Sequence, residues 1–286
     1  MTTGALSGRV AVVTGGGRGI GEAIALRFAA EGAHLALAAR TSADLERVAK
    51  ACQEAGAKCS THIVDVSVRE QVHDLVSSVG PVDVLVNCAG VYGPIGKLID
   101  NDLDEWEQAL RVNLLGTLYA CREVLPGMIK KGRGSIINMS GGGATAPLPN
   151  FSLYAVSKAA VVRLTDTLAA ELQGTGVRVN AIAPGAIDTS LQDQVLAAGD
   201  RGGEIFARMR SMRDTGKGAT PVDVPARLAV FLASDESEGL TGRLVSAPHD
   251  PWQSWDPTRI EHIAASSWFT LRRLDPFTVG QLGREP

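Results

Sequence analysis

The sequence predicts an α/β fold built on a parallel sheet with helices on both faces. Two observations predict it. Strand-like and helix-like patterns alternate from near the start of the 286-residue chain to nearly its end. Such alternation implies right-handed crossovers and parallel strands covered on both sides. The first strand also runs into a glycine-rich turn that opens a helix, the local arrangement in which backbone N–H groups can face a phosphate.

Taken in order, Val10-Ala-Val-Val13 is a β-branched run with the character of a buried strand. It enters Thr14-Gly-Gly-Gly-Arg-Gly-Ile-Gly21, and Glu22-Ala-Ile-Ala-Leu-Arg-Phe-Ala-Ala30 follows as a helix. Strands are expected near 9–13, 34–39, 60–64, 82–86, 134–139, 177–182 and 243–246. Helices are expected near 20–31, 42–55, 68–78, 104–131, 154–173 and 222–233. Pro126-Gly127 should bend or break the long 104–131 pattern near its end.

The glycine turn fits the dinucleotide-binding fingerprint. Gly15 makes the tight turn, Gly19 lets backbone approach a pyrophosphate, and Gly21 lets helix and strand pack closely. An ATP or GTP loop would need Lys and then Ser or Thr after the last glycine; here Glu22 follows. A second signal lies in Tyr154-Ala-Val-Ser-Lys158, where a phenol and an ammonium four apart share one helix face. A nearby positive charge favours phenolate and draws the tyrosine toward acid/base work near neutrality.

These motifs, with others in order, resemble the short-chain dehydrogenase/reductases in their compact single-domain branch. The glycine spacing Gly15-x-x-x-Gly19-x-Gly21 is that branch's variant. Asp65-Val66 closes a third strand, Asn87-Cys-Ala-Gly90 a fourth, and Asn113 lies in Val-Asn-Leu-Leu-Gly-Thr117. Ser140 follows Ile-Ile-Asn-Met139, and Asn180-Ala-Ile-Ala-Pro-Gly185 comes after Tyr154 and Lys158. The likeness covers residues 6–246. It implies a doubly wound, Rossmann-type sheet of seven parallel strands with its ligand at the strands' carboxyl ends.

The resemblance also implies roles. Tyr154 is the general acid in reduction and the base in oxidation, while Lys158 lowers its pKa and bonds the nicotinamide ribose. Asn113 holds a water that links Lys158 to solvent. Gly15, Arg18, Gly19, Ile20 and Gly21 meet the cofactor, as do Arg40, Asp65, Val66, Asn87, Ala89 and Gly90. Past Pro184 and Gly185, Ile187 and Thr189 grip the carboxamide. A serine thirteen residues before the tyrosine bonds the substrate oxygen in this family, but that place is Gly141, one past Ser140. Ser140 is assigned the role, with the Gly141-Gly142-Gly143 run letting it shift; otherwise Thr145 or a water stands in.

The second strand, His34-Leu-Ala-Leu-Ala-Ala39, ends without the acid that binds a ribose 2′-hydroxyl in NAD users. Arg40, with Arg18 opposite, can instead bond a 2′-phosphate, so NADP(H) is the expected cofactor. The substrate is a small carbonyl compound or secondary alcohol. A 3-oxoacyl thioester is the alternative within the enzyme class, and a non-catalytic cofactor-binding subunit the alternative outside it.

The polar stretch Ala186 to Ala219, with Arg201, Arg208, Arg210 and Arg213, corresponds to the family's substrate-side lid and suggests a polar or anionic substrate. Residues 1–246 form the dinucleotide-binding catalytic domain. The extension 247–286 is unusual for the family; Trp252, Trp255, Trp268, Phe269 and Phe277 make it apolar enough to pack on the domain, on a sister subunit or beside the active-site mouth.

The net charge of −3, without a basic block, disfavours nucleic acid and anionic membrane as partners. The four cysteines show no metal-ligand spacing, so no metal is expected; they read as reduced thiols, although Cys52 and Cys59 could pair if oxidised. The first residues have no basic segment leading to an apolar core, and no apolar run reaches membrane-span length. A cytoplasmic protein is expected. The family resemblance also implies a homotetramer, with the helices near 104–131 and 154–173 between subunits.

Overall fold

The computed structural model describes residues 4–273. Seven strands form one sheet: β1 (Val10–Thr14), β2 (His34–Ala39), β3 (Cys59–Ile63), β4 (Val84–Asn87), β5 (Gly134–Met139), β6 (Val177–Ala183) and β7 (Leu244–Ser246). Their order is β3-β2-β1-β4-β5-β6-β7, and every neighbouring pair is parallel. The expected doubly wound, Rossmann-type sheet is present, with its switch point between β1 and β4.

Alternation along each strand sends side chains to two separate cores. In β1, Ala11 and Val13 join one apolar cluster and Val12 joins the other. β2 divides in the same way, with Leu35 and Leu37 on one face and Ala36 and Ala38 on the opposite face. The first face is covered by α1 (Gly19–Ala30), α2 (Ser42–Glu54) and α9 (Asp223–Ala233), and the second by α3 (Arg69–Val79), α5 (Gly116–Lys131) and α6 (Ser152–Glu171). Burial on both faces is why the central strands read as unbroken apolar runs.

The long pattern expected at 104–131 is interrupted, though not where expected. α4 (Leu103–Leu110) is capped by Asp102, whose carboxylate accepts from the N–H groups of Asp104 and Glu105. A wide π-helical turn over Arg111–Leu115 then joins it to α5. That helix runs through Pro126 to Lys131 and stops at Gly132 in the left-handed region. Pro126 is exposed, so the carbonyl it leaves unpaired one turn earlier can turn to water. The irregularity falls instead at Asn113, inside the site.

After β6 the chain builds α7 (Gln192–Ala198) and α8 (Gly203–Thr215) above the carboxyl ends of the strands. Beyond β7 the extension continues through α10 (Pro257–Ala264) and packs on the chain's own body. Trp252 and Trp255 lie 5.9 and 6.4 Å from Phe231 of α9, and both are buried in the first core. Phe269 lies 5.0 Å from Trp255, and its carbonyl accepts the N–H of Leu244 at 2.7 Å. The extension thereby occupies a backbone donor on the outer strand. Trp268 sits beside Phe269, and Phe277 lies outside the described residues. Among the described residues no helix is long and apolar enough to cross a membrane.

Candidate active site

An open groove of about 980 Å³ lies over the carboxyl ends of β1, β2, β3 and β4, at the switch point. The glycine turn forms its floor. A Cβ on Gly21 would lie 2.2 Å from the Gly15 carbonyl oxygen, and one on Gly15 would lie 2.8 Å from the Ala89 nitrogen. Any side chain at either place would drive the turn from the strands. Gly19 has φ +59° and faces Thr189, whose Cβ would be 3.3 Å from a Cβ on the glycine. Thr14, which the sequence did not single out, fixes the adjoining wall: its hydroxyl oxygen accepts from the N–H groups of Cys88 and Ala89 at 3.2 and 3.3 Å.

Of the residues assigned to a cofactor, Gly15, Arg18, Gly19, Ile20 and Thr189 line this groove. Arg40, Asp65, Val66, Ala89 and Gly90 line it as well. Arg18 and Arg40 are exposed, and neither forms an ion pair or side-chain hydrogen bond among the described residues. Arg47 beside them is committed, bonding Glu22 and the Gly17 carbonyl. Ala39 ends β2 and contributes no charge, but Asp44, an acid the sequence reading passed over, reaches the same groove from the first turn of α2.

Asn87 is not brought to the groove. Its side chain turns into the sheet, donating to Asn138 Oδ1 at 2.9 Å and Cys121 Sγ at 3.4 Å. Gly21, Pro184, Gly185 and Ile187 are likewise absent from the groove wall. Gly21 acts beneath the turn. Gly185 takes φ +87° where a Cβ would sit 2.4 Å from Thr220 Oγ1, and Ile187 is buried.

Tyr154 and Lys158 stand on α6 behind the groove wall at Gly90, and neither is itself a wall residue. The Lys158 ammonium donates to the Met139 carbonyl at 2.9 Å and lies 5.6 Å from the centre of the Tyr154 ring. A Cβ on Gly90 would come within 3.6 Å of Lys158 Nζ, so glycine there leaves the amine against the groove wall. The lysine is only 5% exposed, and burial lowers its pKa from 10.5 to about 8. Burial pushes the Tyr154 phenol upward, and the Tyr92 phenol and Cys88 thiol add to that.

Asn113 fills the π-helical turn and is itself buried. Its Oδ1 accepts from the Val91 N–H at 2.9 Å; its Nδ2 donates to the Val91 carbonyl at 2.9 Å and to Ser157 Oγ at 3.0 Å. The amide therefore ties the loop after β4 to α6, beside both Tyr154 and Lys158. π-turns inserted in helices tend to occur where function needs a displaced group.

Ser140 is close in sequence but differently placed. Its Oγ is enclosed and has no hydrogen-bond partner among the described residues. Gly141 instead adjoins the phenol: a Cβ there would lie 2.3 Å from the Tyr154 hydroxyl oxygen. The place next to the Tyr154 phenol belongs to a residue with no side chain.

Over this end folds the lid of α7 and α8. Its arginines do not face inward. Arg213 pairs with Asp188 and Asp193, Arg210 pairs with Asp214, and Arg201 and Arg208 are exposed. The inner side is mainly apolar, with Val195, Met209 and Met212 packed with Tyr92, Phe151 and Tyr154, and it carries two amides, Gln192 and Gln194, that bond Tyr92. The polarity that suggested an anionic substrate belongs to the outer face, a consequence of the amphipathic pattern of a surface helix.

Comparison with known proteins agrees with this geometry. The family model described as short chain dehydrogenase matches residues 9–199. The 2-keto-3-deoxy-L-fuconate dehydrogenase of Xanthomonas campestris pv. campestris is 39% identical, over 83% of this chain and 78% of that protein. Among solved structures, an NAD+-bound xylitol dehydrogenase superposes with a TM-score of 0.77 at 28% identity, covering 84% of this chain and 98% of that one. A variant actinorhodin polyketide ketoreductase with NADPH gives 0.77 at 30% identity, covering 84% and 95%. Relatives of this fold thus hold either nicotinamide dinucleotide. The chain belongs to the short-chain dehydrogenase/reductase family and is an oxidoreductase.

Proposed function

We propose that this protein transfers a hydride between NADP(H) and a carbonyl or secondary alcohol whose flanking groups are apolar, with Tyr154 as acid and base. The observation that carries this is the pairing of Tyr154 and Lys158 directly behind Gly90, a wall residue of the glycine-floored groove, beneath the lid. The bound nicotinamide would supply the hydride chemistry. In reduction Tyr154 delivers its proton to the substrate oxygen as the carbon gains hydride, giving the neutral alcohol. Lys158 holds positive charge beside the resulting phenolate. The Asn113 backbone carbonyl, which accepts the Thr117 hydroxyl at 3.0 Å, is assigned to hold a water on the path of proton resupply. In this reading Ser140 reaches the substrate only if the Gly141–Gly143 run shifts.

The preference for NADP(H) is supported by Ala39 where an acid would repel a 2′-phosphate, and by Arg18 and Arg40 on the groove wall. Asp44 opposes it in part, with Arg47 close enough to offset its charge. The apolar inner face of the lid favours ketones such as cyclohexanone or acetophenone over polyols and sugar acids. A panel of those ketones with acetoacetyl-CoA, xylitol and gluconate, each assayed with both cofactors, tests the reading. Oxidation of the polyols with NAD+ and no turnover of the ketones would overturn it.

The chain is further proposed to act in the cytoplasm, where its free cysteines would remain reduced, and to assemble as a homotetramer. Leu103, Leu118 and Val156 expose apolar surface on α4, α5 and α6, which supports an interface there. We also propose a two-part division, with 1–246 the catalytic body and 247–286 an extension whose described part caps the outer strand.

A further inference from the structure

A second phenol shares the apolar end of the site with Tyr154. Tyr92 follows β4 and is only 8% exposed. Its ring lies 4.5 Å from that of Tyr154, centre to centre, and meets Phe151 edge-on at 5.4 Å. Two lid glutamines hold it. Gln194 Oε1 accepts its backbone N–H at 3.1 Å, and Gln192 Oε1 accepts its hydroxyl at 3.2 Å. The phenol is thus fixed at both ends, with its hydroxyl facing α7, and its ring packs in an apolar cluster with Tyr154, Phe151, Val195, Met209 and Met212.

Reduction of a carbonyl builds negative charge on its oxygen, and a second preorganised donor beside the acid lowers that barrier. Gly141 adjoins the acid but has no side chain, and the Ser140 hydroxyl is enclosed. We propose that Tyr92 donates this second hydrogen bond to the substrate oxygen, in place of the hydroxyl missing at Gly141. The inference rests on Tyr154 being the acid/base.

Tyr92 suits a donor that keeps its proton. Burial pushes its pKa up, so it stays a phenol at neutral pH, and it needs no resupply path because it transfers nothing. The proton balance is unchanged: the Tyr154 O–H bond breaks and the substrate O–H bond forms. Gln192 need not compete, since an amide turned by half a revolution presents its NH2 to the phenol oxygen and frees the phenol hydrogen. In so apolar a pocket each hydrogen bond to developing charge counts for more than in water.

The test uses 2,2,2-trifluoroacetophenone, an apolar activated ketone whose hydrate mimics the tetrahedral oxygen, with Tyr92→Phe, Gln192→Ala, Ser140→Ala and Tyr154→Phe. Tyr92→Phe should lower kcat about a hundredfold, at least tenfold more than Ser140→Ala. It should also weaken binding of the probe to the NADP+ complex about tenfold while leaving NADPH affinity, read by protein fluorescence, within twofold. Gln192→Ala should act mainly on KM. Tyr92→Phe with kcat and probe affinity within threefold of wild type overturns the inference. So does Gln192→Ala reproducing the whole kcat loss, since the phenol would then act only through the lid. If Tyr154→Phe kept its activity, the acid/base assignment itself would fall, whatever Tyr92→Phe did. If the probe were not turned over, the binding arm alone would decide on Tyr92.

Discussion

Lys158 holds an ammonium in a site that disfavours charge, and replacing it by methionine turns that into a measurable stability difference. Burial lowers its pKa from 10.5 to about 8, which corresponds to about 3 kcal/mol against the charged form. Methionine keeps the length and flexibility of the stem and needs no solvation. It forfeits the bond to the Met139 carbonyl, worth about 1 kcal/mol. The Lys158→Met variant should therefore be more stable than wild type at pH 7 by about 2 kcal/mol, while losing turnover.

The sign reverses with pH in a defined window. Below about 8 the lysine is charged in both folded and unfolded chains, and the full penalty applies. Between about 8 and 10.5 the unfolded chain binds a proton that the folded one does not, so wild-type stability rises with pH. Above 10.5 both are neutral, and the variant should be slightly the weaker. Urea denaturation of both proteins at pH 7, 9 and 10.5 reads this directly. A variant less stable than wild type at pH 7, or a difference that did not shrink toward high pH, would refute the argument that burial, and not a compensating partner, governs Lys158.

Three other outcomes are expected. Tyr154→Phe keeps the ring and removes the proton, so kcat should fall at least about a hundredfold with cofactor affinity retained; a tenth of wild-type kcat remaining would exclude the assignment. Wild type should prefer NADPH over NADH by at least about tenfold in kcat/KM, about 1.4 kcal/mol, and Ala39→Asp should move the preference toward NADH. Equal use of both by wild type would contradict it. Trp252→Ala removes an indole that packs on Phe231 and donates to the Ala247 carbonyl at 3.1 Å. It should cost about 3–5 kcal/mol by chemical denaturation, and a loss under 1 kcal/mol would mean that the extension does not stabilise the body.

The sheet was legible in the sequence because its signals are local. A strand buried on both faces is an unbroken apolar run, as in Val10-Ala-Val-Val13, and a glycine turn into a helix needs no distant partner. Elements whose character depends on neighbours were less legible. The break at Asn113 carries no proline or glycine; it arises because the amide must reach both Val91 and Ser157. Pro126, a breaker by local rules, is tolerated because solvent lies beside it. The two lid helices were hidden by glycines at 199, 202, 203, 216 and 218, four of which have φ between +56° and +80° at or near helix ends.

The same division runs through the site. Its groove depends on backbone geometry, which glycine reports wherever it is required: Gly15 and Gly21 can be read from spacing because no other residue fits. The cluster around Tyr154 is assembled from side chains of separate segments. Tyr92, Phe151, Gln192 and Met209 belong to four stretches of chain, and nothing in any one of them marks the others. Asn87 shows the converse case. A motif gives a residue's position along a strand, but the pleat decides which face it serves, and here it serves Asn138 and Cys121. The displaced serine joins both lessons. The one-residue offset was visible in the sequence, whereas its consequence, a bare glycine against the phenol with a second tyrosine alongside, depends on how the loop after β5 meets the loop after β4. The groove floor is set by backbone and glycine, whereas the surroundings of Tyr154 are set by those crossings, so substitutions at Tyr92 and along α7 should change substrate range before they change cofactor use.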